Sequence, residues 1–167
     1  MKRSFDIIFS LLVLALFLPF GIIISLLIVL SSSGGIFYKQ ERIGKNGAPF
    51  MLYKFRSMRT NSDQSGTLTV GMKDSRITKI GVFIRKYKLD EFPQFINVLF
   101  GSMSVVGPRP EVSEFVALYT QEQRKVLDVK PGITDYASLE YFNENEVLAK
   151  SSDPRKTYIE EVMPHKI

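Results

Sequence analysis

Between Ile7 and Leu30 the chain carries no charged residue, and only Ser10, Pro19, Gly21 and Ser25 interrupt its aliphatic and aromatic side chains. As a helix this run extends about 36 Å, enough to cross a hydrocarbon layer about 30 Å thick. Membrane contact follows directly. A cleaved signal peptide fits less well: Lys2 and Arg3 resemble its basic start, but the apolar run is too long and no A-x-A site follows it. With 167 residues in total, the remainder suffices for one soluble unit with a real core beside the anchor.

Positive charge flanks both ends of the run: Lys2 and Arg3 before it, then Lys39, Arg42 and Lys45 after it. The positive-inside rule favours keeping both flanks cytoplasmic, which a helix broken near its middle and returning to the same face would satisfy. Pro19 supplies a break, since it removes a backbone donor and clashes with the preceding turn. A single spanning helix with an ordinary proline kink is the alternative, and charge and Pro19 leave both open.

Composition removes several chemistries. The chain has no Cys, so disulfide frameworks, thiolate metal sites and Cys nucleophiles are excluded. Its one histidine, His165, lies near the end of the sequence and reads as a solvated tail residue, not a triad base. The net charge of +5 is uneven: residues 38–88 hold twelve basic and three acidic side chains, and residues 89–167 hold eight basic and thirteen acidic. So basic a middle favours an anionic partner such as phosphate esters or lipid headgroups. Nothing favours nucleic acid, since Trp is absent and no groove-reading helix is apparent.

After the hinge Ser31-Ser32-Ser33-Gly34-Gly35, residues 36–40 and 50–55 read as strands joined by the turn Gly44-Lys45-Asn46-Gly47. Residues 61–72 read as a loop. Asp74-Ser75 is expected to cap a helix reaching Tyr87. A second helix starts near Asp90, with Phe92, Phe95, Ile96 and Leu99 as its apolar stripe and Gly101 at its end. A third is expected from Glu111 to Asp128, and Asp153-Pro154 opens a short one reaching Met163. The fold class is α+β, mostly helical, divided into a membrane helix and hinge at 1–35 and a catalytic unit at 36–167.

Leu89-Asp90-Glu91-Phe92-Pro93-Gln94 places two carboxylates beside a helix start, where free backbone N–H groups help to hold negative charge. Lys54, Arg56, Arg59, Arg85, Lys86 and Lys88 supply cations that would keep at least one acid ionised, as a nucleophile or metal ligand. In Gly107-Pro108-Arg109-Pro110 two prolines stiffen the turn that aims Arg109, as bidentate phosphate binding requires; a rigid connector with a solvated Arg109 is the plainer reading.

These segments, with Lys2-Arg3, Phe5-Asp6, Gln40-Glu41-Arg42-Ile43-Gly44, Lys54-Phe55-Arg56-Ser57-Met58, Asn97-Val98-Leu99, Gly101-Ser102-Met103-Ser104 and Pro131-Gly132-Ile133-Thr134, occur in one order. In that order the chain resembles the bacterial sugar transferases, the small monotopic phosphoglycosyl transferases. The resemblance implies transfer of a sugar 1-phosphate from a UDP-sugar to a polyprenyl phosphate, undecaprenyl phosphate, at the cytoplasmic face of the bacterial inner membrane, with release of UMP. It implies Asp90 as nucleophile and ligand of a Mg²⁺ ion, and Glu91 as its assistant. Arg85 would support the pair, Lys54, Arg56 and Arg109 would contact phosphate, and Pro19 would bend a re-entrant helix. Two departures stand out: Leu18 precedes Pro19 where the family has Ser, and Asp135-Tyr136-Ala137-Ser138 replaces a Gly-Trp-Ala-Gln run, so sugar choice is expected in that divergent part. The rival classes are a membrane-tethered regulator holding an anionic ligand and an inactive scaffold of the same fold.

Overall fold

The computed structural model describes residues 1–60, 62, 74–137 and 144–167. Nearly all of the loop expected at 61–72 lies outside them. Helix α1, Lys2–Ser31, is a single helix. Pro19 lies inside it, so the expected interruption into two helices is not observed. One proline removes one backbone hydrogen bond, and here side-chain packing carries the helix across the gap. The shielded positions are Arg3, Asp6, Ile7, Ser10, Val13, Leu14, Phe17, Gly21, Ile24, Ser25 and Ile28, a stripe at spacings of three and four that continues past Pro19. The opposite face, including Leu12, Leu16, Phe20, Ile23 and Leu27, is apolar and exposed.

Strands β1, Phe37–Ile43, and β2, Pro49–Phe55, form the expected antiparallel hairpin, with Phe37 opposite Phe55 and Ile43 opposite Pro49. Its turn is tightened by Asn46 and Gly47, both at positive φ. Helix α2, Lys79–Lys86, starts later than expected: Thr78 accepts from the N–H of Gly81 and is the N-cap. Asp74 is instead spent on the Arg76 side chain and N–H. A 3-10 turn, Leu89–Glu91, leads into helix α3, Gln94–Phe100, which closes at Gly101 in the left-handed region at φ 86°.

Strand β3, Ser104–Val106, pairs in parallel with β4, Gly132–Thr134, a ladder that the sequence reading does not contain. The helix expected over 111–128 is reduced to α4, Ser113–Val116, followed by a 3-10 segment, Gln123–Asp128. Between them Thr120 and Gln123 cap each other reciprocally, side chain to backbone N–H, which starts a new segment instead of extending the old one. Helix α5 is Glu144–Lys150. Helix α6, Pro154–Thr157, begins at the expected Asp153 cap and continues through a π turn, Tyr158–Val162, into α7, Met163–Lys166. His165 is exposed, as its tail position implies.

Three apolar clusters set the architecture. Ile24 and Ile28 of α1 pack with Phe55, Ile84 and Phe92, and Phe17 stacks on Phe92 at a centroid distance of 3.8 Å. Burying each such side chain contributes about 1.5–3 kcal/mol, so α1 is a wall of this core. The second cluster, Leu52, Val98, Met103 and Val105, joins the hairpin to α3 and β3. The third, including Val112, Phe115, Leu148, Tyr158 and Val162, holds the C-terminal helices on α4. The start of α1 is fixed by polar contacts as well: Arg3 donates to the carbonyl oxygens of Val98 and Leu99 at the end of α3. Asp6, 3% exposed, accepts from the Ser104 hydroxyl and the Val105 N–H at 3.0 Å.

Candidate active site

The paired acids lie in the 3-10 turn between α2 and α3, and the chain enters that turn through Lys88 at φ 56°. A side-chain-bearing residue in the left-handed region costs about 1–3 kcal/mol, and such strain concentrates at functional sites. The turn points the two neighbours into different surroundings. Glu91 faces two cations: Lys54 Nζ lies 3.0 Å from Oε1, Arg109 Nη2 lies 2.7 Å from Oε1, and Arg109 Nη1 lies 3.3 Å from Oε2. Asp90 is 7% exposed and forms no ion pair among the described residues.

Electrostatics separates the acids further. Burial pushes the Asp90 carboxyl above its ordinary value; Lys54 pulls it down and Glu91 raises it. Burial acts in the same direction on Glu91, yet Lys54 and Arg109 outweigh it and hold that carboxyl well below the ordinary range. Lys54, desolvated beside them, is lowered in spite of Glu91. The site therefore combines a fixed anion clamped by two cations with an adjacent acid that is free of such a clamp.

Each partner arrives on a different element. Lys54 comes from β2, whose register against α3 is set by Asn97: its side chain accepts from the Tyr53 N–H at 3.0 Å and donates to the Met51 carbonyl at 2.7 Å. Asn97 thus serves as a sheet partner for the strand that carries Lys54. Arg109 comes from the turn after β3. There Gly107 and Gly132 lie so close that a Cβ on Gly132 would meet the Gly107 nitrogen at 2.1 Å. The Arg109 N–H donates to Asp135 Oδ2 at 3.1 Å, so the divergent run after Thr134 begins with a residue that holds this turn.

Of the residues singled out in the sequence, the fold brings Asp90, Glu91, Lys54 and Arg109 together. Arg85, in the last turn of α2, is near enough to act electrostatically on Asp90. Arg56 stands elsewhere: its guanidinium reaches the Phe37 carbonyl at 3.4 Å and packs against Gly34, at the junction of α1 and the hairpin. Pro19 lies in α1 at an exposed position and makes none of the clamp's contacts. Sequence reasoning missed Asn97 and Asp135 as site-building residues; a polar Asn inside an apolar helical stripe is the one local signal that points to either of them.

Among the described residues no group of three or more carboxylates or imidazoles could enclose a metal ion. Magnesium is commonly held by one or two carboxylates together with phosphate oxygens, and Asp90, which no cation clamps among the described residues, fits the part of such a carboxylate. Glu91, with both oxygens engaged by cations, fits it less well.

A family model described as bacterial sugar transferase matches residues 1–164. A Bacillus subtilis (strain 168) protein, provisionally named an undecaprenyl-phosphate N-acetylgalactosaminyl 1-phosphate transferase, is 47% identical over 121 residues, covering 72% of this chain and 68% of that protein. The UDP-N-acetylgalactosamine-undecaprenyl-phosphate N-acetylgalactosaminephosphotransferase of Aeromonas hydrophila is 41% identical over 143 residues. The UDP-glucose:undecaprenyl-phosphate glucose-1-phosphate transferase of Escherichia coli (strain K12) is 39% identical over 146 residues. Each of these two matches covers 83% of this chain, and 33% and 31% of the respective relative, so the chain spans about a third of their length.

Proposed function

This chain belongs to the bacterial sugar transferase family, and from that premise we propose that it transfers a sugar 1-phosphate from a UDP-sugar to undecaprenyl phosphate and releases UMP. One observation carries the assignment of roles: Glu91 is clamped by Lys54 and Arg109, and Asp90 beside it is not. The free carboxylate is the nucleophile. An Asp90 oxygen bonds to the β-phosphorus of the UDP-sugar, the bond from that phosphorus to the bridging oxygen breaks, and UMP leaves with the electron pair. The phosphosugar stays on Asp90 as an acyl phosphate. A phosphate oxygen of the polyprenyl acceptor then bonds to the same phosphorus, and the Asp90 carboxylate departs.

Lys54 and Arg109 are poised to receive the diphosphate: the Arg109 fork suits two phosphate oxygens and Lys54 supplies a point charge. Glu91 holds both cations in place before substrate arrives, and in that way assists Asp90. A Mg²⁺ ion on Asp90 and the diphosphate would supply charge neutralisation.

The membrane reading is monotopic insertion from the cytoplasmic face of the bacterial inner membrane, with α1 unbroken and docked along one face on the rest of the protein instead of being split into two helices at Pro19. What supports it is the packing of α1: Arg3 and Asp6 near its start and Ile24 and Ile28 near its end dock on the same body. Both basic flanks then share one side, and the exposed apolar face is left to lipid. The acceptor phosphate can reach Asp90 without leaving the membrane surface.

The test is UMP release from a panel of UDP-sugars with undecaprenyl phosphate, together with capture of a radiolabelled phosphosugar on the protein. The wild type should release UMP and carry the label, and Asp90→Asn should do neither. Full activity in Asp90→Asn would refute the mechanism, and nucleotide-sugar binding without any UMP release would identify a scaffold.

A further inference from the structure

The segment Gln40-Glu41-Arg42-Ile43-Gly44 has no part in the chemistry above, yet the fold places Arg42 against the backbone that carries Arg109. Every nitrogen of its guanidinium has a contact. Nε and Nη2 donate to Gln40 Oε1 at 3.2 and 2.8 Å, and Nη1 donates to the Pro110 carbonyl at 3.0 Å and lies 3.6 Å from Glu111 Oε2. The next residue joins the same segment, since the Ile43 N–H donates to the Glu111 carbonyl at 2.8 Å. Glu111 is held from its far side by the Tyr158 hydroxyl.

We propose that Arg42 is a positioning residue: resting on the proposed function, it fixes the Pro110–Glu111 backbone so that Arg109 reaches the Glu91 carboxylate and the phosphates that replace it. Four facts support this. The contact is made to the carbonyl of the residue directly after Arg109. Pro108 and Pro110 stiffen the turn, so a displacement of its base is passed on to Arg109 instead of being absorbed. The Arg42 side chain is largely buried, 18% exposed, and its fork satisfies two separate acceptors at once, a geometry that Lys cannot reproduce. Finally, Arg42 touches neither Asp90 nor Glu91 in any hydrogen bond or ion pair of the described residues; its charge also acts directly on Lys54 and Arg109, and the charge-keeping Arg42→Lys isolates the part of the effect that passes through the turn.

Two measurements test the proposal, and the first needs no activity. Phenylglyoxal modification, mapped by peptide mass spectrometry, should be slow at Arg109 in the wild type and about tenfold faster in Arg42→Gln, because an arginine released from a bidentate carboxylate is exposed to reagent. Exposed Arg124 should react equally in both. The second is UMP release in a double-mutant cycle. Arg42→Gln should lower kcat/KM by about tenfold and Arg109→Ala by about a hundredfold, while the double variant matches Arg109→Ala within a factor of about three. Arg42→Lys should recover only part of the loss.

Unchanged Arg109 reactivity in Arg42→Gln overturns the positioning role, and so do losses that multiply in the double variant, the mark of general destabilisation. If Arg42→Gln melts before it can be assayed, Arg42→Lys in the same modification experiment decides the question. Absence of UMP release by the wild type refutes the proposed function alone and leaves the modification result to judge Arg42.

Discussion

Glu91→Gln removes one negative charge from between two cations while keeping the shape of the side chain. Lys54 and Arg109 then face each other across a neutral amide, whose oxygen can accept from one of them while its NH₂ is turned toward the other. Losing one partner of a fully buried ion pair costs about 3–5 kcal/mol, and an exposed pair is worth about 0–1 kcal/mol. The three side chains are 14–34% exposed, between these limits, so the expected loss is about 2–3 kcal/mol. For a chain of this size each kcal/mol moves Tm by about 2–4 °C, which gives a drop of about 4–12 °C at neutral pH. The sign of the pH dependence follows from the lowered Glu91 carboxyl. Its stabilisation is fully present above the ordinary value of 4.5 and is lost as pH falls through the lower folded-state value. Far-UV circular dichroism melts in detergent micelles should therefore show a constant gap between wild type and variant from pH 7 to about pH 5, closing below about pH 4.5. A gap under about 1 °C at pH 7, or one that does not shrink in acid, would refute the reasoning that ion pairing, not packing, holds Glu91 in place.

Asp90→Asn should have the opposite thermal effect. Burial raises this carboxyl above its ordinary value of 3.8, so the native state prefers its protonated form and stability is lost as pH rises from that ordinary value through the raised one; at pH 7 the variant should melt a few degrees higher while losing UMP release, with the advantage shrinking as pH falls below the raised value and gone by about pH 4. Equal or lower Tm at pH 7 would count against burial as the dominant influence. Gly132→Ala forces a methyl group to within 2.1 Å of the Gly107 nitrogen, so β3 and β4 must separate; we expect about 1–3 kcal/mol of destabilisation and at least about a tenfold fall in UMP release, since Gly107 leads into the turn that aims Arg109. Wild-type melting and turnover in that variant would mean the two backbones can part freely.

What the sequence disclosed follows the range of the interactions concerned. The hairpin was legible because alternation and a Gly-Lys-Asn-Gly turn are local properties, as was the Asp153-Pro154 cap. The helix expected over 111–128 is interrupted at a signal that the sequence itself contains, Thr120-x-x-Gln123, which restarts the chain. Asp74 competed with Thr78 for the cap of α2 and was drawn off by Arg76 two residues away. At Pro19 local propensity predicted a break, and the packing stripe from Phe17 to Ile28 prevailed. The acids and their two cations could be nominated from charge and turn chemistry, but Arg42 and Asn97 act on residues 68 and 46 positions away, separations at which no spacing rule speaks.

Placed in a membrane, the stripe along α1 would give that helix two solvents, protein on one side and lipid on the other. A surfactant that displaces lipid from the outer face is harmless, but one that also wedges between Phe17 and Phe92 attacks the ring stack immediately after the paired acids. Extraction conditions thus become a variable of catalysis: detergents that yield equally soluble, equally helical protein should differ in turnover according to how well they leave this seam closed. The membrane segment is in that sense less a tether than the outermost layer of the reaction chamber, and a soluble truncation at residue 35 would remove a wall of the chamber together with the anchor.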